Sequence, residues 1–426
     1  IDGSEWLQAR LEEYRIGVEA GQPDAMIETS IHEALGIGHG DWQRLRLAWG
    51  GDNGLVTNLA LVAAGKKRLT IQLLGGSYIG YERMTRGWWA PIERLMREHE
   101  LTDRPLYFVS SNTHSIANTL SGTARRRRDD LIDFAEQSGD PELSLALDDL
   151  REENSPTSWD NFLYYTARRY FSHHPDERRQ RDLEEEERGI FTVPAEAGID
   201  VAAQIIEPEK LRWDDLDPRL RAIQELNIET DAVILNINYP LGLSAYHILT
   251  QLGMSTGQLR GAYILGKAAT LNARIGDVML SNVVYDEHSG NTFWFQNCFS
   301  AADLTPFLVY GSALDHQRAV TVLGTYLQNR EYLDFYYRGN FTVVEMEAGP
   351  YLNAIFEETF LTRYGQDDNV NLTEIPLDLG IIHYASDTPY TRAQTLGARG
   401  LSYYGMDSTY ASALAILRRL FQQASR

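Results

Sequence analysis

Short apolar segments alternate with helical segments through the second half of the chain, and this alternation restricts the fold more than any other feature. Six segments have the length and composition of buried strands, and helical patterns separate most of them. Parallel strands need such crossovers, because consecutive strands must start from the same edge of the sheet. The sequence therefore predicts an α/β fold with a mostly parallel, partly closed sheet flanked by helices. The predicted strands are 232–237, 261–265, 278–285, 320–324, 341–345 and 379–385, and a final helix covers 408–423.

The first half of the chain predicts helices and a smaller number of strands. Apolar residues recur at helical spacing over residues 4–35. After them the sequence predicts, in chain order, a helix at 55–64, a strand at 69–74, a helix at 92–98 and a strand at 105–110. Residues 125–188 are mostly charged and helical. We place a domain boundary near Gly189. The predicted domains are 1–188, an N-terminal helical and α/β region with a charged helical arm, and 189–426.

Charge and cysteine content exclude several classes of protein. Asp and Glu number 60 against 39 Lys and Arg, a net charge of −21, which disfavours polymeric nucleic acid and anionic membranes as partners. Only four of the basic residues are lysines, and arginine is the side chain suited to holding a small phosphate in a pocket. The single cysteine and an N-terminus without a signal pattern predict a cytoplasmic protein. No apolar run approaches the ~20 residues that cross a bilayer.

Candidate ligand-binding residues follow the predicted strands, because parallel sheets bind ligands at the carboxyl ends of their strands. Gly242 lies in a turn that leads into a helix, where backbone can approach a sugar or an anion. Gly266 and Lys267 follow the next strand, but the spacing of a phosphate-binding loop is absent, which argues against a nucleoside triphosphatase.

Carboxyl groups follow the last two predicted strands. Glu345 and Glu347 are one residue apart and are expected to project to the same side, where the two hydroxyls of a ribose would suit them. The alternative is that Glu347 only occupies the first turn of a helix. Asp387 is either a helix cap before a proline or an acid held near the site.

Two segments of the first half are candidates for phosphate binding. Ser111, Thr113 and His114 lie where a helix begins and are candidates to bind an anion; the alternative is that Ser111, Asn112 or Thr113 simply caps the helix. The four arginines that begin at Arg125 either bind phosphate or form a solvated helix face.

Other chemistry finds no support in the sequence. The pair His173-His174 and His288 lack the spacing of zinc ligands, and no Gly-x-Ser-x-Gly segment is present. We expect neither a metal nor a cofactor.

The order of these segments resembles the nucleoside phosphorylase and nucleosidase superfamily. The most specific elements are Glu-Met-Glu-Ala at 345–348 after an apolar strand and Ser-Asp at 386–387, together with Gly-Asp-Val at 276–278 and the segment 297–303. A more distant similarity to the AMP nucleosidases rests on the large N-terminal region and on Asp-Glu-His at 286–288. The resemblance covers about half the chain, including residues 239–245 and 266–278.

This resemblance implies cleavage of the N-glycosidic bond of a purine nucleoside or nucleotide, and it implies a homo-oligomer. Glu347 would bind the ribose hydroxyls, Met346 would pack on the sugar, and Phe299 would stack on the base. Asp387 would protonate or hydrogen-bond the departing purine, which needs a buried carboxyl. Glu345, Gly242 and Gly266 would complete the substrate contacts.

The sequence departs from this superfamily at the phosphate loop, since Gly266-Lys267-Ala268-Ala269 lacks the hydroxyl and the second glycine. Hydrolysis is therefore the expected reaction. One alternative is phosphorolysis, with Arg260, Lys267 or an N-terminal arginine holding inorganic phosphate. The other is a nucleotide-binding regulatory protein without turnover. In each case the partner is a small molecule.

Overall fold

The structure is a computed structural model that describes residues 5–35, 38–63, 78–152, 158–195, 199–224, 226–324, 329–389 and 403–424. It divides into two compact units, Ile1–Gly76 and Ser77–Arg426. The boundary predicted at residue 189 falls inside the second unit, because strands from both sides of that residue pair in one sheet. The strand predicted at 69–74 lies outside the described residues.

The first unit is helical in its described part. Leu7, Leu11 and Tyr14 are buried along one side of its first helix, which confirms the helical spacing predicted for this segment. The Tyr14 hydroxyl donates a hydrogen bond to Glu28 at 2.9 Å, and Arg46 pairs with Glu28 at 2.8 Å, so that three helices are joined. The helices are α1 (Glu5–Glu19), α2 (Ala25–Ala34), α3 (His39–Ala48) and α4 (Asp52–Ala63).

The second unit is built on an eleven-stranded sheet, as far as the described residues show. Four strands have only four residues each, whereas the longest has twelve. The strands are β1 (Leu106–Ser111), β2 (Ile190–Val193), β3 (Ala203–Ile206), β4 (Val233–Asn238), β5 (Leu259–Thr270), β6 (Val278–Asp286), β7 (Thr292–Phe295), β8 (Ala313–Thr321), β9 (Val343–Glu345), β10 (Asn369–Leu372) and β11 (Asp378–Asp387).

The sheet is mixed rather than mostly parallel. Its order is β10-β7-β6-β8-β9-β5-β1-β4-β3-β2, and β11 pairs with both β5 and β6. Strand β1 runs parallel to β4 on one side and to β5 on the other, whereas β2, β3 and β4 pair antiparallel. The short connection between β6 and β7 also forces an antiparallel pair.

Five of these strands pair in a closed ring. Going round it, β5 pairs with β9, β9 with β8, β8 with β6, β6 with β11, and β11 again with β5. Strand β5 therefore belongs both to the ring and to the open part of the sheet. Its two faces contact different apolar clusters, Ile264 and Ala268 on one side and Tyr263 and Leu265 on the other. Burial on both faces explains why this strand reads as a nearly continuous apolar run.

Helices cover the sheet, and a group of them lies between β1 and β2 in the chain. We call the helices of residues 115–186 the helical arm; it contains residues 125–186 of the charged segment 125–188. The helices of the second unit are α5 (Tyr78–Glu98), α6 (Ser115–Ser121), α7 (Thr123–Arg126), α8 (Arg128–Gln137), α9 (Pro141–Arg151), α10 (Trp159–His173), α11 (Pro175–Glu186), α12 (Pro218–Arg221), α13 (Ser244–Ser255), α14 (Ala301–Leu304), α15 (Arg330–Arg338), α16 (Ala348–Phe360) and α17 (Tyr403–Ala424).

Candidate active site

A cavity of about 760 Å³ lies where three parallel strands end. Ser111 at the end of β1 pairs in register with Asn238 at the end of β4, and β5 runs beside β1 in the same direction. Residues at or near these ends line the cavity, among them Ser111, Asn238 and Lys267. This is the edge at which a parallel sheet is expected to bind a ligand, and the volume suits a small organic molecule.

The segment after β1 is fixed by side-chain oxygens. Asn112 accepts hydrogen bonds from the backbone amides of His114 and Ser115 at 3.0 and 2.6 Å, and Asn238 accepts one from the amide of Thr113 at 2.9 Å. The amide of Ser115, the first residue of α6, is therefore already occupied. His114 precedes it at the N-cap position and makes no side-chain hydrogen bond to the helix, so Asn112 orders the turn before α6.

Ser111, Thr113 and His114 all line the cavity. The Ser111 hydroxyl donates to Asn236 at 2.7 Å. Burial, with Arg168 and Lys267 nearby, lowers the pKa of His114 to about 3, so that its imidazole is neutral. This histidine therefore adds a hydrogen-bonding group and no positive charge.

Gly266 and Lys267 form part of the cavity wall contributed by β5. A Cβ atom at Gly266 would overlap the ring and hydroxyl of Tyr239, so the close approach of these two residues requires glycine. Burial lowers the pKa of Lys267, and Arg168 adds to this effect, whereas Asp387 opposes it. Lys267 thus lies in the field of one carboxylate and one guanidinium.

Asp387 is brought to the same side of the sheet as Lys267. In the parallel pair of β11 with β5, Tyr384 is opposite Lys267 and Asp387 is opposite Ala269, and paired residues project to the same face. Asp387 is 5% exposed and accepts a hydrogen bond from the Ser386 hydroxyl at 2.7 Å. The last strand therefore places a buried carboxyl next to the cavity lysine.

Glu345 and Glu347 have different surroundings although both are buried. Glu345 accepts hydrogen bonds from the backbone amides of Glu347 and Ala348, each at 2.7 Å, and from the Thr321 hydroxyl. It therefore holds the start of α16. Glu347 accepts a hydrogen bond from the amide of Gly242 at 3.2 Å. Its carboxyl thus points to the turn that follows β4.

The Gly242 turn and Tyr239 connect Glu347 with the cavity. Gly242 has φ +57°, the left-handed region that glycine adopts without strain, and this conformation directs its amide to Glu347. Tyr239 lines the cavity, and burial followed by the charge of Glu347 raises the pKa of its phenol. Glu347 therefore lies behind Tyr239 as seen from the cavity wall.

Both glutamates hold protons more tightly than an ordinary carboxyl group. Burial raises the pKa of Glu347 to about 8, and the charge of Glu345 adds to this. Burial also raises the pKa of Glu345 to about 7, against the effect of the hydrogen bonds that it accepts. Burial therefore favours the protonated form of Glu347, and a protonated carboxyl group can both donate and accept hydrogen bonds.

The remaining candidates from the sequence lie away from the cavity wall. Phe299 is buried in the core, with its ring 5.6 Å from that of Tyr263, and Met346 packs against a cluster around β8 and β9. Arg125 donates to the backbone carbonyl groups of residues 214 and 215. Arg260 is exposed at the beginning of β5, seven residues before Lys267, which is about 23 Å along a strand.

The sequence did not indicate the arginines that do line the cavity. Arg168 projects from α10, and Arg178 and Arg181 project from α11. In the sequence they belong to the charged helical arm, where mixed charges usually face solvent. The arginines at 126 and 127, by contrast, pair with Asp215, Glu177 and Glu184.

The described part of the chain contains neither a candidate metal site nor a candidate membrane-spanning helix. No group of three or more His, Cys, Asp or Glu side chains is arranged to hold a metal ion there. Nor does any helix among these residues have the length and apolar character needed to cross a membrane.

Comparisons with known proteins give a family and several partial structural likenesses. The model of DUF6909, a family of unknown function, matches residues 3–422. No curated protein matches the sequence.

Among solved structures, the chain is similar to nucleosidases and phosphorylases. A 5′-methylthioadenosine/S-adenosylhomocysteine nucleosidase from Colwellia psychrerythraea, in complex with adenine, is 13% identical over 56% of this chain and 89% of that chain, with a TM-score of 0.37. The corresponding enzyme from Neisseria meningitidis, with methylthio-immucillin-A, is 13% identical over 56% and 93%, also at 0.37. A uridine phosphorylase from Vibrio fischeri is 12% identical over 58% and 88%, at 0.35.

Proposed function

Because the chain belongs to DUF6909, a family of unknown function, the site itself has to indicate the chemistry, and we propose that this protein hydrolyses the N-glycosidic bond of a purine nucleoside or nucleotide. The observation that carries the proposal is the position of two buried carboxyl groups beside one cavity. Glu347 lies behind Tyr239, Asp387 is next to Lys267, and both Tyr239 and Lys267 line the cavity.

The two carboxyl groups suit the two demands of ribosidic cleavage. As the C1′–N bond breaks, its electron pair passes to the base, and Asp387 would give a proton to the base. The sugar then resembles an oxocarbenium ion, to which water adds its oxygen at C1′ and releases a proton to solvent. Glu347, which the Gly242 amide fixes, would hold the ribose hydroxyls, and this requires the Tyr239 side chain in front of it to move aside.

The test incubates the protein with a panel of nucleosides and nucleotides, with and without inorganic phosphate. Chromatography then measures the free base that is released. We expect free base and a sugar that carries a hydroxyl group and no phosphate at its anomeric carbon, and we expect the rate of base release not to depend on added phosphate. If base release requires phosphate and yields a sugar 1-phosphate, the reaction is phosphorolysis. If no member of the panel releases base, the protein is a nucleotide-binding regulator, or its substrate is of another class, and the proposal fails.

Asp387→Asn separates chemistry from binding. The amide keeps the size and hydrogen-bonding capacity of the side chain but has no proton to give, so turnover should fall by at least about a hundredfold while ligand affinity stays within a few-fold. Asp149→Asn, which makes the same change at an exposed position of α9, is the matched control. Wild-type turnover in Asp387→Asn would remove this residue from the role of general acid.

A further inference from the structure

The cavity is basic although the chain as a whole is strongly acidic. Four basic side chains line it, Arg168, Arg178, Arg181 and Lys267, against two acidic ones. The chain carries a net charge of −21, so a local excess of positive charge is opposite to its average composition. Basic groups that converge on a concave surface attract and hold anions.

Arg168 and Lys267 line the same cavity from two different elements of the fold. Lys267 comes from β5, and Arg168 comes from α10 of the helical arm. Arg168 is exposed and has no hydrogen bond or ion pair with any residue that the structure describes, and the same holds for the side chain of Arg178. The two positive charges repel each other, and an anion bound between them would attract both and offset this repulsion.

The acidic groups of the cavity wall do not cancel this charge. Glu185 lies 3.9 Å from Arg181, and burial raises its pKa to about 7, so that it is partly neutral at physiological pH. Asp200 is exposed, as Arg168 and Arg178 are, and it is a single carboxylate against these two guanidinium groups. His114 is neutral as well. Arg168 and Arg178 remain as cavity charges whose side chains have no hydrogen bond or ion pair with any residue that the structure describes.

We propose that Arg168 and Lys267 hold the phosphate group of a nucleoside 5′-monophosphate, so that the substrate of this site is a nucleotide and not a nucleoside. This inference rests on the proposed function for the identity of the sugar and base. A cavity of about 760 Å³ is much larger than a phosphate ion needs and is of the size that binds a whole small organic molecule. Lys267 also lies close to Asp387, which connects the phosphate site with the carboxyl group assigned to bond cleavage.

The guanidinium of Arg168 is suited to this task, because its planar N–H groups can donate two parallel hydrogen bonds to one phosphate. Its position on the helical arm means that the arm supplies the recognition of phosphate, whereas the strand ends supply the carboxyl groups. The arm is thus a binding element and not only a solvated surface.

The experiment compares the affinity of nucleoside 5′-monophosphates with that of the matching nucleosides by calorimetry. It uses the full chain carrying Asp387→Asn, so that no ligand is consumed. We expect the monophosphate to bind at least about tenfold more tightly than its nucleoside, the effect of one charge-assisted hydrogen bond or more. Adding Arg168→Gln should remove most of this difference and leave nucleoside affinity unchanged. Arg94→Gln, an exposed arginine on α5 outside the cavity wall, should change neither.

Three results would overturn the inference. Equal affinities for nucleotide and nucleoside would show that no phosphate is recognised. Equal effects of Arg168→Gln and Arg94→Gln would show that Arg168 has no special part. Inorganic phosphate that binds together with a nucleoside, and only when Arg168 is present, would assign the site to a free phosphate co-substrate.

Failure of the proposed function gives a different pattern. Phosphate-dependent binding that requires Arg168, without base release by the unmodified protein from any nucleotide, would refute the reaction and retain the binding site. Base release at equal rates from nucleosides and nucleotides would retain the reaction and refute the phosphate site.

Discussion

Glu345 and Glu347 allow one prediction to be worked out in detail, because the same substitution at both positions removes the same atoms from two equally buried places. Glu345 is 1% exposed and Glu347 is 2% exposed. Replacing Glu345 by Ala leaves two buried backbone amides without an acceptor, those of residues 347 and 348. Replacing Glu347 by Ala leaves one, that of Gly242.

The magnitude follows from the cost of an unsatisfied buried amide, which is about 1–3 kcal/mol. Loss of the amide acceptors alone should lower the free energy of unfolding by about 2–6 kcal/mol in Glu345→Ala and by about 1–3 kcal/mol in Glu347→Ala, and Glu345→Ala also loses the hydrogen bond from the Thr321 hydroxyl. The loss of side-chain volume and of a buried acid is nearly the same in both. The difference between the two variants, about 1–3 kcal/mol, therefore isolates the role of Glu345 in holding the start of α16.

Urea unfolding followed by circular dichroism measures both variants against the unmodified protein. Glu345→Gln is the control, because its one carboxamide oxygen can accept both amides, and it should be less destabilised than Glu345→Ala. Glu347→Ala should keep its fold and lose nucleoside affinity. If Glu345→Ala proves no less stable than Glu347→Ala, the capping role given to Glu345 is wrong.

Two further predictions concern pH and packing. Folding raises the pKa of Glu347 from 4.5 to about 8, so the native state binds this proton more tightly than the unfolded state does. The contribution of Glu347 to stability is therefore greatest below its unfolded pKa, and it is lost as the pH rises towards its folded pKa. The melting temperature of the wild type should therefore fall more steeply between about pH 5 and 9 than that of Glu347→Gln, and equal slopes would contradict the raised pKa. Gly266→Ala should destabilise the protein by about 1–3 kcal/mol, because its Cβ overlaps Tyr239. Gly257→Ala, where a Cβ meets no atom within 4 Å, should change unfolding in urea by less than about 0.5 kcal/mol, and similar losses in both variants would exclude the overlap as the cause.

Strands within apolar runs were predictable from the sequence, including the three-residue β9 inside the predicted segment 341–345, whereas most other short or polar strands were not. Strands β4 and β6 lie within one residue of their predicted bounds. The prediction of 320–324 found only the end of β8, because its first part contains Asp315, His316 and Gln317, which face outward and interrupt the apolar pattern. Strands β2, β3, β7 and β10 have four residues each, too few for a period to be recognised.

The cavity was partly predictable, because the rule that ligands bind at strand ends depends on local sequence. It indicated Ser111, Thr113, His114, Gly266 and Lys267, and all of these line the cavity.

Long-range contacts decided the remaining residues, and no local pattern records them. Arg125 donates to the chain near residue 214, whereas Arg168 lines the cavity together with Lys267, and neither arginine's position follows from its neighbours in the sequence. Phe299 follows a strand as a base-stacking residue would, but the same position suits a core residue packed on Tyr263.

The sheet and the helical arm contribute to the cavity wall from two parts of the chain that can change independently. The carboxyl groups belong to strands and strand ends whose pairing partners fix them on both sides, so mutations there are restrained by the whole sheet. Arg168 and Arg178 lie on helices of an arm that joins two strands. Substitutions in the arm can accordingly alter ligand preference during evolution while the reactive groups keep their places, and divergence among members of this family should be concentrated there.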